Sequence, residues 1–210
     1  MTQIAKHDYQ FEKYTGLDRF SSYWYQLREI MASRPTTVLE VGVGESVVAN
    51  YLKAMTKVAY TSADFAEDLS PDVVADVRAL PFADNSYDTV CAFEVLEHLP
   101  FEDFEKAVSE LVRVSKKNIL ISLPHFGPPI RLRFKFPFLP EVSFAWKIPY
   151  PKEHQWNGQH YWEIGKKGYP PPRIRAVLKK HGTLVKEFIP FENQYHHFFV
   201  LETSKLDSTL

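Results

Sequence analysis

Two glycines in the spacing G-x-G, Gly42 and Gly44, separate an apolar run from a helix-like run in "VLEVGVGESVVANYL", residues 38–52. Glycine lets the backbone come close to a ligand that any side chain would hold off. A strand, a tight turn and a helix in this order are how a nucleotide-like ligand is held. Glu40 stands just ahead of the turn, and Asp64 lies twenty positions beyond Gly44 at the end of a second apolar run. A carboxylate there can accept from both hydroxyls of a ribose. That spacing serves NAD and an adenosyl cofactor equally. A dinucleotide loop wants glycine at the position of the branched Val47, so that the helix packs close to its strand, and no second domain for a hydride acceptor is evident. Both points count against an oxidoreductase.

The elements that position these residues alternate. Residues 20–32 read as a helix stopped by Pro35, and 38–41 as a buried strand. A helix over 47–54 and a strand over 57–64 follow. A short strand and turn come next in "DVVADVRALPF", then a strand over 87–95 with Cys91 in its interior. Residues 102–114 form a helix, with acids near its start and bases after its end as the dipole prefers. "NILISLP" is a further strand. The chain closes with the helix "RIRAVLKKHG", Gly182 as its cap, and two strands in a hairpin. The expectation is an α/β fold: a three-layer Rossmann-like sandwich around a seven-stranded, mostly parallel sheet with an antiparallel C-terminal strand, the final hairpin lying at its edge. Ligands bind such sheets at the carboxyl ends of the strands, where the topology switches.

The segment "ADVRALPFADNSYDTVCAFEVLEHLPFEDFEKAVSELVRVSKKNILISLP" narrows the ligand. It resembles the class I S-adenosylmethionine-dependent methyltransferases with a methyltransferase type 11 domain, which have an acid at the third strand, an "LPF…D…FD" turn and a strand running into "EVLEH". The match spans roughly residues 38–124 in order, and "HYWEIG…GYP" in residues 160–170 is similar to a phrase in members of that family. The resemblance implies that Glu40, Gly42 and Gly44 line the methionine and sugar portion of the cofactor and that Asp64 takes the ribose hydroxyls. It places Asp76 and Val77 at the adenine, and Phe93 and Glu94 at the methyl end. An acceptor-rich pocket suits a positively charged sulfonium. The family's first motif has a third glycine; here Ser46 stands in its place, and Glu45 adds a negative charge. A catalytically silent binding or regulatory module with the same fold is the alternative; retention of Asp64 and Asp76 speaks against it.

Residues 125–172 interrupt the regular pattern. Ten of the fifteen prolines fall between Pro124 and Pro172, with Trp146, Trp156 and Trp162. Forty-eight residues are too many for a simple connection and read as an inserted lid. The stretch holds seven bases against three acids, and "IRLRFKFPF" alternates apolar with basic residues. An extended conformation separates these onto two faces. One reading turns the basic face to water and the apolar face to the core. Another makes a surface for an acidic or amphiphilic small molecule, or for the anionic surface of a membrane. Trp156, Tyr161 and Trp162 could build an aromatic wall. His154 and His160 lack an evident third ligand, so no metal is expected. Residues 1–34 form a flap and helix, with Tyr9, Phe11 or Tyr14 near the methyl group or sealing the sheet edge.

The whole chain, residues 1–210, is thus expected to be one methyltransferase domain acting on an O, N, C or S atom of a small molecule. If the nucleophile carries a proton, His98, His125 and His160 are the candidate bases, in that order. With 25 basic and 26 acidic side chains, nothing in the charge points to nucleic acid. One cysteine precludes an internal disulfide and fits a reducing cytoplasm. The start is polar, without a signal-peptide core, and no apolar run nears the roughly 18 residues of a membrane span. Oligomeric state is left open.

Overall fold

The computed structural model describes residues 15–203; Tyr9, Phe11 and Tyr14 lie outside that range. Helix α1 (Leu17–Ala32) leads into β1 (Thr37–Val41), α2 (Val47–Met55), β2 (Ala59–Asp64) and the short β3 (Val73–Val74). Then come β4 (Tyr87–Phe93), a 3₁₀ turn at Leu96–His98, α3 (Phe101–Val114) and β5 (Ser115–Pro124). After the strands β6 (Pro129–Phe134) and β7 (Val142–Lys147), the chain returns through α4 (Pro171–His181), β8 (Gly182–Phe188) and β9 (His196–Thr203).

Seven strands form one sheet in the order β3-β2-β1-β4-β5-β9-β8. β9 alone runs against its neighbours, pairing antiparallel with both β5 and β8. The last strand therefore inserts beside β5 and leaves β8 as the edge, so the C-terminal hairpin closes the sheet and β9 is its antiparallel strand, as expected. Alternate residues of the central strands serve opposite faces. Val38, Cys91, Leu120 and Phe198 meet Ile30 of α1 and Val48 and Leu52 of α2. Leu39, Val90, Ile121 and Phe199 meet Phe104, Val108 and Leu111 of α3 and Ile174 and Leu178 of α4. Three layers result, with the topological switch between β1 and β4.

Three local expectations change. Gly182 follows α4, but its backbone is extended (φ −173°), so no left-handed cap forms. Glycine is needed because a Cβ there would stand 2.7 Å from the Glu202 carbonyl oxygen. Trp162 joins no exposed wall: it is fully buried, donates its indole N–H to the Leu99 carbonyl at 3.1 Å and packs edge-on against Phe101 and Phe104. Of the three, Trp156 and Tyr161 remain at the surface, their rings in tilted contact at 4.6 Å. The insert thus has two parts, a hairpin outside the main sheet and a return segment that fills the core with Trp162 and Ile164.

The hairpin is oriented opposite to the simpler expectation. β6 and β7 form their own two-stranded sheet, and Ile130↔Trp146, Leu132↔Phe144 and Phe134↔Val142 pair along one face that is exposed throughout. Its basic face turns inward. Arg131 donates to the Glu192 carbonyl at 3.0 Å, and Arg133 reaches the Glu192 carboxylate at 2.6 Å and lies over the Phe191 ring. Glu192 in turn accepts from Tyr25 of α1 at 2.9 Å. Guanidinium groups find fixed acceptors here, so they bind the hairpin to the body.

Candidate active site

A cleft opens at the carboxyl ends of β1, β2 and β4, under the first turns of α1. It encloses about 860 Å³ of empty space, counting the open mouth, and Glu40, Gly42, Gly44, Asp64, Phe93, Glu94 and His98 all line it. The loop after β1 is shaped by backbone geometry. Gly42 has φ +86°, donates its N–H to the Ala63 carbonyl at 2.8 Å, and would place a Cβ 2.2 Å from Val95 Cγ2. Gly44 has φ +49°. Ser46 also sits in the left-handed region (φ 59°, ψ 20°), directly ahead of α2. The third position of the loop thus keeps a conformation suited to glycine, at a backbone cost of about 1–2 kcal/mol.

Two carboxylates are held ready at the base. Asp64 accepts from the Val43 N–H and the Ala66 N–H, each at 2.8 Å, which aims the side chain across the loop and leaves further lone pairs free. Burial pushes its carboxyl upward, opposed by those amides. Glu40 is buried and accepts from the Tyr60 hydroxyl; burial raises it to about 7, against the Tyr60 bond, with Asp64 adding to the rise. Glu45 turns to α1, accepting from Thr15 Oγ1 at 2.6 Å and from the Tyr23 hydroxyl. Its charge thereby anchors the helix to the loop.

The β4 side is more acidic. β4 ends at Phe93; Glu94 adopts φ +55°, still donates its N–H to the Ser122 carbonyl at 3.0 Å, and lines the cleft. Burial lifts Glu94 to about 8. His196 Nε2 lies 3.6 Å from its Oε2. His98 follows on the 3₁₀ turn; its Nδ1 lies 3.1 Å from the Gln159 carbonyl, and burial with the nearby His160 lowers it to about 4.

The other expected residues fall elsewhere. Asp76 does not line the cleft. Its carboxylate is forked onto the Arg78 guanidinium, with 2.6 Å to Nη2, and Arg78 also reaches Asp103 at 2.7 Å. Val77 is buried in the core beneath. His125 stacks on His197 with Nδ1 atoms 3.0 Å apart, bordering a second, shallower cleft between the hairpin and the body. His160 stands behind His98, ring centroids 5.1 Å apart, with its Nδ1 3.1 Å from Glu163. His154 Nε2 bonds the His160 carbonyl at 2.8 Å, so these two imidazoles do not converge on one point. Sequence reasoning missed Arg19, Tyr23 and Gln26 of α1 and Phe65 and Leu69 after β2, all on the cleft wall. Phe65 follows Asp64 directly and could have been found from that position; the α1 residues carry no local signal.

Residues 39–122 match a family model described as a methyltransferase domain. No curated protein matches the chain. Among solved structures, the N-methyltransferase NodS from Bradyrhizobium japonicum, in complex with S-adenosylhomocysteine, is 10% identical with a TM-score of 0.60, covering 90% of this chain and 89% of that one. The magnesium protoporphyrin IX methyltransferase ChlM from Synechocystis, with the same ligand bound, is 15% identical with a TM-score of 0.59, over 90% and 84%. A Burkholderia thailandensis 1,6-didemethyltoxoflavin-N1-methyltransferase, with 1,6-didemethyltoxoflavin and S-adenosylhomocysteine, is 15% identical with a TM-score of 0.56, over 97% and 92%. At these identities the likeness is one of fold.

Proposed function

We propose that this chain, whose residues 39–122 match a methyltransferase domain model, is a class I S-adenosylmethionine-dependent methyltransferase whose cleft between β1, β2 and β4 holds S-adenosylmethionine and presents its methyl group to a small-molecule acceptor. The observation that carries this reading is the pairing of Gly42, whose Cβ position is barred, with Asp64, fixed by two backbone amides across the same loop. The donor set fits the cofactor. Carboxylates surround the space a sulfonium and a ribose need, while the left-handed loop keeps side chains out of it. When bound, the cofactor supplies an electrophilic methyl group on a positively charged sulfur.

Each residue then has a task. Asp64 accepts from the ribose hydroxyls, and Phe65 and Leu69 offer the adenine an apolar wall. Glu40 and the Gly42–Gly44 backbone hold the methionine end. Phe93 keeps water from the methyl end, where alignment and dryness matter more than charged catalysts. Asp76 and Val77 act indirectly, by holding Arg78 and the turn after β3. Of the candidate bases, His98 alone lines this cleft, so the acceptor meets it and not His125. Arg19 and Glu94 line the same cleft and are available to the acceptor's polar groups.

The inward turn of Arg131 and Arg133 leaves little free charge for an acidic acceptor. The outward apolar face of β6 and β7 favours an amphiphilic acceptor delivered at a lipid surface, through peripheral contact. Among the described residues no helix is long and apolar enough to cross a membrane. The chain works as one domain, and its single buried thiol, Cys91, suits a reducing cytoplasm.

Titration calorimetry with S-adenosylmethionine, S-adenosylhomocysteine and NAD, beside Asp64→Ala, tests the reading. Both adenosyl ligands should bind and NAD should not. Loss of two hydrogen bonds to a charged group should weaken the adenosyl ligands about 100-fold or more in the variant. Equal affinity in the variant would remove Asp64 from the site.

A further inference from the structure

Three side chains from two distant segments converge at the inner wall of the cleft. Glu97 and His98 come from the turn after β4, and His160 comes from the return segment. The Tyr161 N–H donates to the Glu97 carbonyl at 2.9 Å, which fixes the two segments together. Glu97 is fully buried, yet neither carboxylate oxygen has a hydrogen-bond partner among the described residues, and Glu94 Oε1 is in the same condition. A buried carboxylate without a partner is costly, so these oxygens call for a proton or a cation.

The imidazoles are arranged in the complementary sense. His98 has its Nδ1 against the Gln159 carbonyl, and His160 has its Nδ1 against Glu163 Oε1, each at 3.1 Å. Glu163 is itself held by the Tyr195 hydroxyl at 2.8 Å. Those contacts fix both rings from outside and leave each Nε2 as the free nitrogen. His160 Nε2 faces Glu97 Oε1 at 3.9 Å. A carbonyl or carboxylate on one ring nitrogen, with the other turned to a shared point, is the outer shell that orients metal-ligating histidines. Ligand atoms of Glu97, His98 and His160 already lie within 4.8 Å of one another. Around an ion with bonds of about 2.0–2.2 Å they would stand about 3–4 Å apart. Small side-chain rotations close that gap.

We propose that Glu97, His98 and His160 bind a divalent cation at the inner wall of the methyl-transfer cleft. Two imidazoles with one carboxylate select a first-row ion such as zinc over magnesium, which prefers an all-oxygen shell. Because three protein donors leave a position open and His98 also lines the cleft, that position of the ion faces the acceptor. That chemistry assigns the acceptor an oxygen donor, a hydroxyl or a carboxylate, next to the atom methylated. This substrate class rests on the methyl-transfer reading above; the ion site itself does not.

The test uses the full chain, stripped with a chelator and dialysed, then titrated with cobalt(II) chloride and zinc chloride, with magnesium chloride for contrast. Cobalt reports through its visible absorption and zinc through calorimetry. One equivalent of cobalt should bind and be displaced by zinc. Glu97→Gln and His160→Gln should each lose about 100-fold or more in affinity, and Glu163→Gln about 10–100-fold. Asp64→Ala should bind cobalt unchanged. Absence of stoichiometric cobalt or zinc binding, a preference for magnesium, or equal binding in the ligand variants would overturn the site. Should Glu97→Gln fail to fold, His160→Gln decides. Adenosyl-ligand binding in the same preparations separates the two ideas: a lost ion site with intact adenosyl binding overturns this inference alone, and the reverse overturns only the reading of the cleft.

Discussion

Replacing Gly42 by alanine should separate two costs that the structure superimposes at one atom. The first is conformational: at φ +86° an alanine pays about 1–2 kcal/mol for leaving the regions L residues prefer. The second is steric. The new methyl would lie 2.2 Å from Val95 Cγ2, with Val95 Cβ at 3.5 Å and Cγ1 at 3.7 Å. Only one methyl is in conflict, so Val95 can rotate away, and an off-rotamer valine with local overpacking costs about 1–2 kcal/mol. Gly42→Ala alone should therefore destabilise by about 2–4 kcal/mol, read as the free energy of urea unfolding. Val95→Ala removes the clashing methyl, at its own cost of about 1–2 kcal/mol in lost burial. In the double variant only the backbone part of the Gly42 cost should remain, a coupling of about 1–2 kcal/mol between the sites. S-adenosylhomocysteine binding, read in parallel, should stay weakened in the double variant, since the added Cβ still stiffens the loop. Additive effects of the two substitutions would refute the steric account, and full stability in Gly42→Ala would refute both parts.

Two further expectations concern regions away from the loop. His125 is held down to about 3, first by burial and then by Lys147 and His197, so its folded value lies below the unfolded one and the folded state binds fewer protons as pH falls below about 6.5. Its contribution is therefore lost on acidification, and His125→Asn should lose stability less steeply than the parent between pH 6.5 and 4.5, by up to about 1.4 kcal/mol per pH unit; parallel urea-midpoint profiles would show that His125 titrates normally. For the hairpin, the full chain should co-sediment with phosphatidylcholine vesicles, and Leu132→Ser with Phe144→Ser should abolish this; no sedimentation of the parent would end the lipid-surface reading.

What could be read along the chain was what neighbours in sequence decide. Gly42 and Gly44 stand out because the left-handed turn, the preceding strand and the following helix are all within a few residues. Asp64 follows for the same reason, since a strand of known direction delivers its last side chain to a known end of the sheet. Ser46 shows that the loop's shape persists when the residue best suited to it is missing. Asp76 marks the limit. The acid is where the family pattern has it, yet Arg78, two residues on, takes its carboxylate.

The sequence by itself determined the period of each element, the order of strands and helices and the identity of the loop, because those depend on local dihedral preference and on alternation along one strand. It left every two-sided choice open. Alternation in β6 separates basic from apolar residues, but only Glu192 and Phe191, some sixty positions away, decide that the arginines face inward. Trp162 reads as a surface aromatic until Leu99, Phe101 and Phe104 enclose it. The convergence of Glu97 and His98 with His160 is likewise a matter of tertiary packing. Burial removes the water that would otherwise satisfy those carboxylates, and what they must then find depends on which chain segment the fold brings opposite them.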